Sequence, residues 1–171
     1  MTLEDLKTFF SDGVSVIGNA ESILRKTPLG NKIDSRPTIR FNWIDLNHKK
    51  YTGSRKDCIC TNLPQKIRKA EYKILIGKTK DPRFDFCRYP NNLLSDLSKS
   101  LNKKASNGIR ILYLLDYLEI KNVHIYGFDW KETPSLVEKN KKSTPETEHH
   151  DYEKEKQLCL ELVRKNNWKH Y

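Results

Sequence analysis

Three short segments carry residue types, at spacings, that suit contact with an anion. Val16-Ile17-Gly18-Asn19-Ala20-Glu21-Ser22 reads as a strand end, a glycine turn and the opening of a helix. Ala105-Ser106-Asn107-Gly108 places a capping serine before a helical pattern, and Ile125-Tyr126-Gly127-Phe128 is a strand end with an aromatic on each side of a glycine. At such places glycine lets the backbone approach a ligand, and the first N–H groups of a helix point toward negative charge. None of the three contains the G-x-G-x-x-G of dinucleotide sites or the G-K-[ST] of phosphate-binding loops, so neither nicotinamide nor ATP chemistry is indicated. Taken singly, the first also reads as a tight connection and the second as a plain helix cap. His48, His124 and His170 have no partner pattern, and His124, alternating with apolar strand residues, is expected on the solvent side of its strand. Trp43 and Trp130 follow strand ends, where they would stack on a sugar or base, or shield the sheet edge.

The elements that must position these segments follow from periodicity. Residues 3–11 form an amphipathic helical pattern with Leu3, Leu6, Phe9 and Phe10 on one face. Short apolar runs at 14–17, 38–43, 57–62, 72–77 and 122–126 are expected strands. A helix capped by Asn19 or Ser22 and closed by Pro28 and Gly30 follows the first of them. Helical spacing returns at 93–101 and, with Ile111, Leu114, Leu115 and Leu118, at 109–118; 151–164 is a last amphipathic helix. The Asp-Pro and Tyr-Pro pairs mark 77–91 as irregular, and 131–148, polar and lysine-rich with Pro134 and Pro145, as a mobile loop or lid. Strands alternating with helices imply a single Rossmann-like three-layer α/β/α domain over residues 1–171 with a mostly parallel sheet.

The 171 residues suffice for one core. Thirty-two basic against 22 acidic residues leave a net charge of +10, a field that draws anionic partners. The basic residues are scattered over 49–56, 66–69, 78–83, 99–104, 139–142 and 164–169. No interleaved aromatic platform for stacking single-stranded bases accompanies them, so nucleic acid is not expected as a partner. A basic surface that touches a membrane peripherally fits, but no apolar run approaches the roughly 18 residues of a spanning segment. The acidic, amphipathic start is unlike a signal peptide, and four cysteines without C-x-x-C spacing suit a reducing compartment, so a cytoplasmic location is expected.

Read together, the segments resemble the sialyltransferase family. Val16-Ile17-Gly18-Asn19, then Gly30 and Ile33-Asp34, then Ile39-Arg40-Phe41-Asn42 and the Gly53 of Tyr51–Asp57, are similar to the large sialylmotif. Ser106-Asn107-Gly108 through Val123-His124-Ile125-Tyr126-Gly127-Phe128 is similar to the small sialylmotif. His150-Asp151-Tyr152-Glu153-Lys154-Glu155 matches the very short motif, a histidine and, after four residues, a glutamate. The pieces fall in the family's order.

The resemblance implies an inverting glycosyltransferase that moves sialic acid, or a related acidic sugar such as Kdo, from a CMP-sugar donor to a glycan acceptor. It matches Asn19 and Asn42 to the asparagines that hold phosphate and ribose, with Gly18 in the turn between strand and helix. Ser106, Asn107 and Gly108 match the turn that meets the sugar carboxylate and nucleotide, and Tyr126, Gly127 and Phe128 the strand end beside the cytidine. His150 matches the catalytic base and Glu155 the acid that accompanies it. A single phosphodiester can be held by helix-end N–H groups and asparagine amides, so no metal or other cofactor is expected. A histidine suits proton abstraction from an acceptor hydroxyl at neutral pH. Glu155 lies five positions after His150, about 500° around a helix, so it is expected to bond elsewhere, such as to backbone.

Three departures stand out. The family's motif cysteines are absent, Gly13 standing before the first strand. Its third motif is not recognisable within 131–148, which leaves neutralisation of the leaving phosphate unassigned, with His149 the nearest substitute. The metal-binding D-x-D of other sugar-nucleotide enzymes is missing too, Asp129 being a lone aspartate expected to cap or brace a loop. The alternative functions are a non-catalytic CMP- or nucleotide-binding protein of the same fold and a basic nucleic-acid-binding module.

Overall fold

A computed structural model describes residues 1–42, 47–64, 67, 72–136 and 149–171. The strands are β1 (Val14–Ile17), β2 (Thr38–Phe41), β3 (Cys58–Cys60), β4 (Ile74–Gly77), β5 (Asp85–Arg88), β6 (Val123–Tyr126) and β7 (Lys169–His170). They form one sheet in the order β5-β4-β3-β2-β1-β6-β7, and every neighbouring pair is parallel. The helices are α1 (Leu3–Phe9), α2 (Gly30–Asp34), α3 (Lys49–Thr52), α4 (Asn91–Leu101), α5 (Asn107–Tyr117) and α6 (Tyr152–Asn166), with a 3₁₀ turn at Glu21–Arg25.

The central strands are apolar because both faces are covered. Val14 and Val16, Ile39 and Phe41, Cys58 and Cys60, Ile74 and Ile76, and Val123 and Ile125 point to one face, where they meet Leu6 and Phe10, Leu97 and Leu101 of α4, Ile111, Leu112 and Leu115 of α5 and Cys159 and Leu162 of α6. Alternate residues face the other way, where Ile17 and Tyr126 pack with Ile23, Ile33 and Leu136, and Ile59 and Leu75 with Tyr72 and Phe84. This second face is roofed by shorter elements and holds more polar groups. The Arg40 guanidinium donates to the carbonyls of Arg55 (2.9 Å) and Thr52 (2.8 Å). Asp34 accepts from the N–H groups of Ser54 (2.7 Å) and Arg55 (3.0 Å). Arg40, Asp34 and Gly53, which carried part of the family resemblance, therefore brace the α2–α3 connection.

The Rossmann-like three-layer α/β/α arrangement expected from the alternation is present, with some local differences. The stretch 77–91 contains β5, whose charged ends Asp85 and Arg88 conceal a strand at the sheet edge. The helix expected after Ser22 is only the 3₁₀ turn, and Gly30 opens α2 instead of closing a helix; a Cβ there would lie 2.3 Å from the carbonyl oxygen of Lys49. β2 stops at Phe41, after which Asn42 is left-handed (φ 53°) and Trp43 lies outside the described residues. β7 gave no sequence signal because it is two residues long. His124 is buried, not solvent-facing: its side of β6 is covered by Tyr171.

Residues 131–136, read as the start of a mobile loop, are tied down. Ala20 and Ser135 form an antiparallel bridge, Glu21 N–H donates to Pro134 O (2.9 Å) and Leu136 N–H to Asn19 O (2.8 Å). The rest of that expected loop, 137–148, lies outside the described residues.

Candidate functional site

From β1 the chain steps outward through β2, β3, β4 and β5; β6 and β7 lie on the opposite side of β1. The order therefore reverses between β1 and β6, and the loops leaving their carboxyl ends diverge to open a crevice. Here the two strand-end glycines meet. Gly18 N–H donates to Tyr126 O (2.8 Å) and Ala20 N–H to Gly127 O (3.2 Å). A Cβ on Gly18 would sit 2.2 Å from Gly127 O, and Gly127 takes φ 64°. Glycine at 18 thus serves backbone-to-backbone approach of the two loops.

Beyond them lies a cleft of about 390 Å³. It is bordered by Gly18, Asn19, Asn42, Ser106, Asn107, Gly108, Gly127, Phe128, His150 and Glu155, so five separate sequence segments meet at one place. Tyr126 is the exception among the expected site residues. It is fully buried on the far face of the sheet, because strand alternation turns it away from the side that Ile125 faces.

An amide relay runs along one wall. Asn19 Nδ2 donates to Phe41 O (3.1 Å), fixing the end of β2 from which left-handed Asn42 projects. Asn107 Nδ2 donates to Asn42 Oδ1 (3.3 Å), and Asn62 Nδ2 to Asn107 Oδ1 (3.3 Å). Gly108 packs beneath Phe128, where a Cβ would come within 2.7 Å of the ring. The aromatic edge of the cleft is fixed in turn by the edge-on contact of Phe128 with Phe41, 5.8 Å between centroids.

The N-termini of α5 and α6 border the cleft as well. Ser106 caps α5, and Asp151 caps α6 through Lys154 N–H (3.1 Å). Glu155, 2% exposed, accepts from Ser106 N–H (2.7 Å) and from the Ser106 hydroxyl (2.6 Å), so it bonds to backbone and side chain of the other helix and not to His150. Burial pushes its carboxyl above the usual range, against the opposing pull of the two Ser106 bonds. His150 Nδ1 lies 2.5 Å from Lys104 O. A carbonyl only accepts, so Nδ1 carries the hydrogen and Nε2 of the neutral ring keeps a lone pair. Both helix N-termini direct positive potential at the cleft.

Asp129, the lone aspartate, accepts from the N–H of Thr133 (3.1 Å) and from its hydroxyl, bracing the turn in which Trp130 (φ 52°) and Lys131 (φ 71°) are left-handed. Among the described residues no three His, Cys, Asp or Glu side chains cluster as a metal site would require. His149 is exposed and outside the cleft lining. Sequence reasoning missed Asn62, Lys104 and Arg110. The first two gave no signal; Arg110 did, as a cation within the apolar run of α5.

No protein-family model matches the chain, and no curated protein matches it by sequence. Solved structures do match in fold. A mammalian sialyltransferase superposes with TM-score 0.71 at 17% identity, and another structure of a mammalian sialyltransferase, in complex with Gal-beta-1-3GalNAc-ortho-nitrophenol, with TM-score 0.69 at 16% identity. In each case 92% of this chain is matched to 68% of the other.

Proposed function

We propose that the chain is a sialyltransferase-like inverting glycosyltransferase that passes sialic acid, or a related acidic sugar such as Kdo, from CMP to a glycan acceptor without a metal ion. The observation that carries this reading is the meeting of five separate sequence segments at one cleft, with His150 held so that Nε2 is available as a proton acceptor. The likeness in fold to mammalian sialyltransferases supports it.

In this reading the nucleotide's phosphate lies against the N-terminus of α5 and the amides of Asn19 and Asn42, with cytidine toward Gly127 and Phe128. His150 Nε2 takes the proton of the acceptor hydroxyl as that oxygen bonds to the anomeric carbon, on the face opposite CMP. The bond from that carbon to the phosphate oxygen breaks, and the electron pair leaves with CMP. The helix N-termini of α5 and α6 favour the charge that develops there.

Calorimetric titration with CMP beside UMP, GMP and ADP, with chelator present, is the test. Selective CMP binding that weakens when Asn19 or Asn42 is replaced by Ala is expected. His150→Ala should retain CMP while transfer falls about 10²- to 10⁴-fold. A protein that only binds the nucleotide would show no transfer for that substitution to remove. A strict requirement for Mg²⁺ or Mn²⁺, or indifference among the nucleotides, would overturn the mechanism.

A further inference from the structure

Arg110 stands in the cleft lining as a buried cation that makes no ion pair among the described residues. It is 5% exposed, on α5 one turn after Ser106. Among the described residues no carboxylate forms an ion pair with it. Among the described residues Nε is buried with no hydrogen-bond partner, and Nη1 donates to the neutral Asn107 Oδ1 at 3.3 Å. Glu155, the acid whose charge it feels, has its two oxygens on Ser106. The helix is fixed at this position by its backbone, since Arg110 O accepts from Tyr89 OH (2.8 Å). A buried charge is normally paired, because leaving water costs far more than packing a methylene stem returns.

The same geometry removes the group that would otherwise read an acidic sugar. The Ser106 N–H and hydroxyl hydrogen both go to Glu155, so neither is free to donate to a ligand carboxylate. A guanidinium presents several N–H donors in a planar fork that matches a carboxylate. We infer that Arg110 is the specificity residue for the acidic sugar: it supplies the counter-charge for the carboxylate of the donor's sugar, in place of the Ser106 hydroxyl. The inference rests on the CMP-sugar reading and deepens it.

The test compares the native protein with Arg110→Met, which keeps the apolar stem, in titrations with CMP and with a hydrolysis-resistant CMP–N-acetylneuraminic acid analogue. CMP carries the phosphate but no carboxylate. Arg110→Met should bind CMP within about twofold of the native protein and the analogue about 10- to 100-fold more weakly, the usual range for losing a hydrogen bond to a charged group. Its ligand-free melting midpoint should be no lower than the native one, since a buried unpaired charge has been removed. Equal losses for both ligands, with or without a lower midpoint, would make Arg110 a phosphate or scaffold residue and overturn the inference. So would unchanged affinity for both. Failure of the native protein to bind either ligand is a different result: it overturns the CMP-sugar reading itself, and the assignment of Arg110 with it.

Discussion

The carboxylate of Glu155 accepts both donors of a single residue, Ser106, and so pins the start of α6 to the start of α5. Those two bonds keep His150 and the α5 N-terminus on one wall of the cleft. Glu155→Ala leaves the Ser106 N–H and hydroxyl hydrogen without their acceptor in a half-buried place and should cost about 1–3 kcal/mol. Glu155→Gln keeps one acceptor, and its amide can donate to the hydroxyl oxygen, so it should cost only about 1 kcal/mol. Urea unfolding of the two variants checks this; equal, negligible losses would mean the pin carries no stability. At this scale the sequence was legible in outcome more than in cause: Glu155 bonds away from His150 as expected, but His150 lies before the N-cap Asp151, outside α6, so no helical angle relates the two. It was not legible for Tyr126, whose motif position suggests a ligand contact while strand alternation buries it behind the sheet. Nor did it reveal that the Ser106 hydroxyl is already used by Glu155, since that pair lies 49 positions apart.

Elements reach the cleft through glycines that do different work. Gly18 sits against the backbone of Gly127, a rigid neighbour, so Gly18→Ala must push the ends of β1 and β6 apart and should destabilise by about 2–4 kcal/mol. Gly108 sits against the ring of Phe128, a side chain that can turn. Gly108→Ala should therefore cost about 1 kcal/mol or less, while displacing Phe128 enough to weaken CMP binding about tenfold or more. Thermal unfolding read beside nucleotide titration separates the cases; a Gly108 variant with native affinity would remove Phe128 from the proposed cytidine wall. The strands β1 to β4 and β6 were readable as apolar runs because a sheet covered on both faces selects such runs. β5 and β7 were not, because an edge strand tolerates charge and a two-residue strand has no period. α2 was hidden by Gly30, which marks a close approach of α3 and only looks like a helix stop.

Stability against pH is a property of the whole molecule, and His124 gives it a definite sign. The ring lies on the second face of the sheet at 3% exposure, between Asn122 Oδ1 (2.9 Å from Nε2) and the Tyr171 hydroxyl (3.2 Å from Nδ1), and it stacks on Tyr171. Both contacts suit a neutral ring that donates from Nε2 and accepts at Nδ1. Burial, and then the charges of Arg36, Lys169 and Lys32, push its pKa down to about 4. The unfolded chain takes up that proton near pH 6.5, and the folded chain resists it to about pH 4. Folding therefore holds its full contribution from this site above about pH 6.5 and loses it progressively toward pH 4, on the order of 1–2 kcal/mol after allowing for solvent screening. His124→Phe keeps a stacking ring but cannot titrate. It should be less stable than the native protein at pH 7.5, having lost two hydrogen bonds, and fall less steeply between pH 7 and 4.5. Parallel urea midpoints across that range would show that His124 is not the titrating group. The expected convergence of the two curves has a consequence for the cleft. β7 pairs with β6 through His124 and Ile125, and His170 lies 3.2 Å from Phe128 O. Acid that charges His124 in the folded protein, near pH 4, thus acts on the same strand pair that backs the Gly127–Phe128 wall, so nucleotide affinity should weaken as the pH approaches 4 in the native protein more than in His124→Phe.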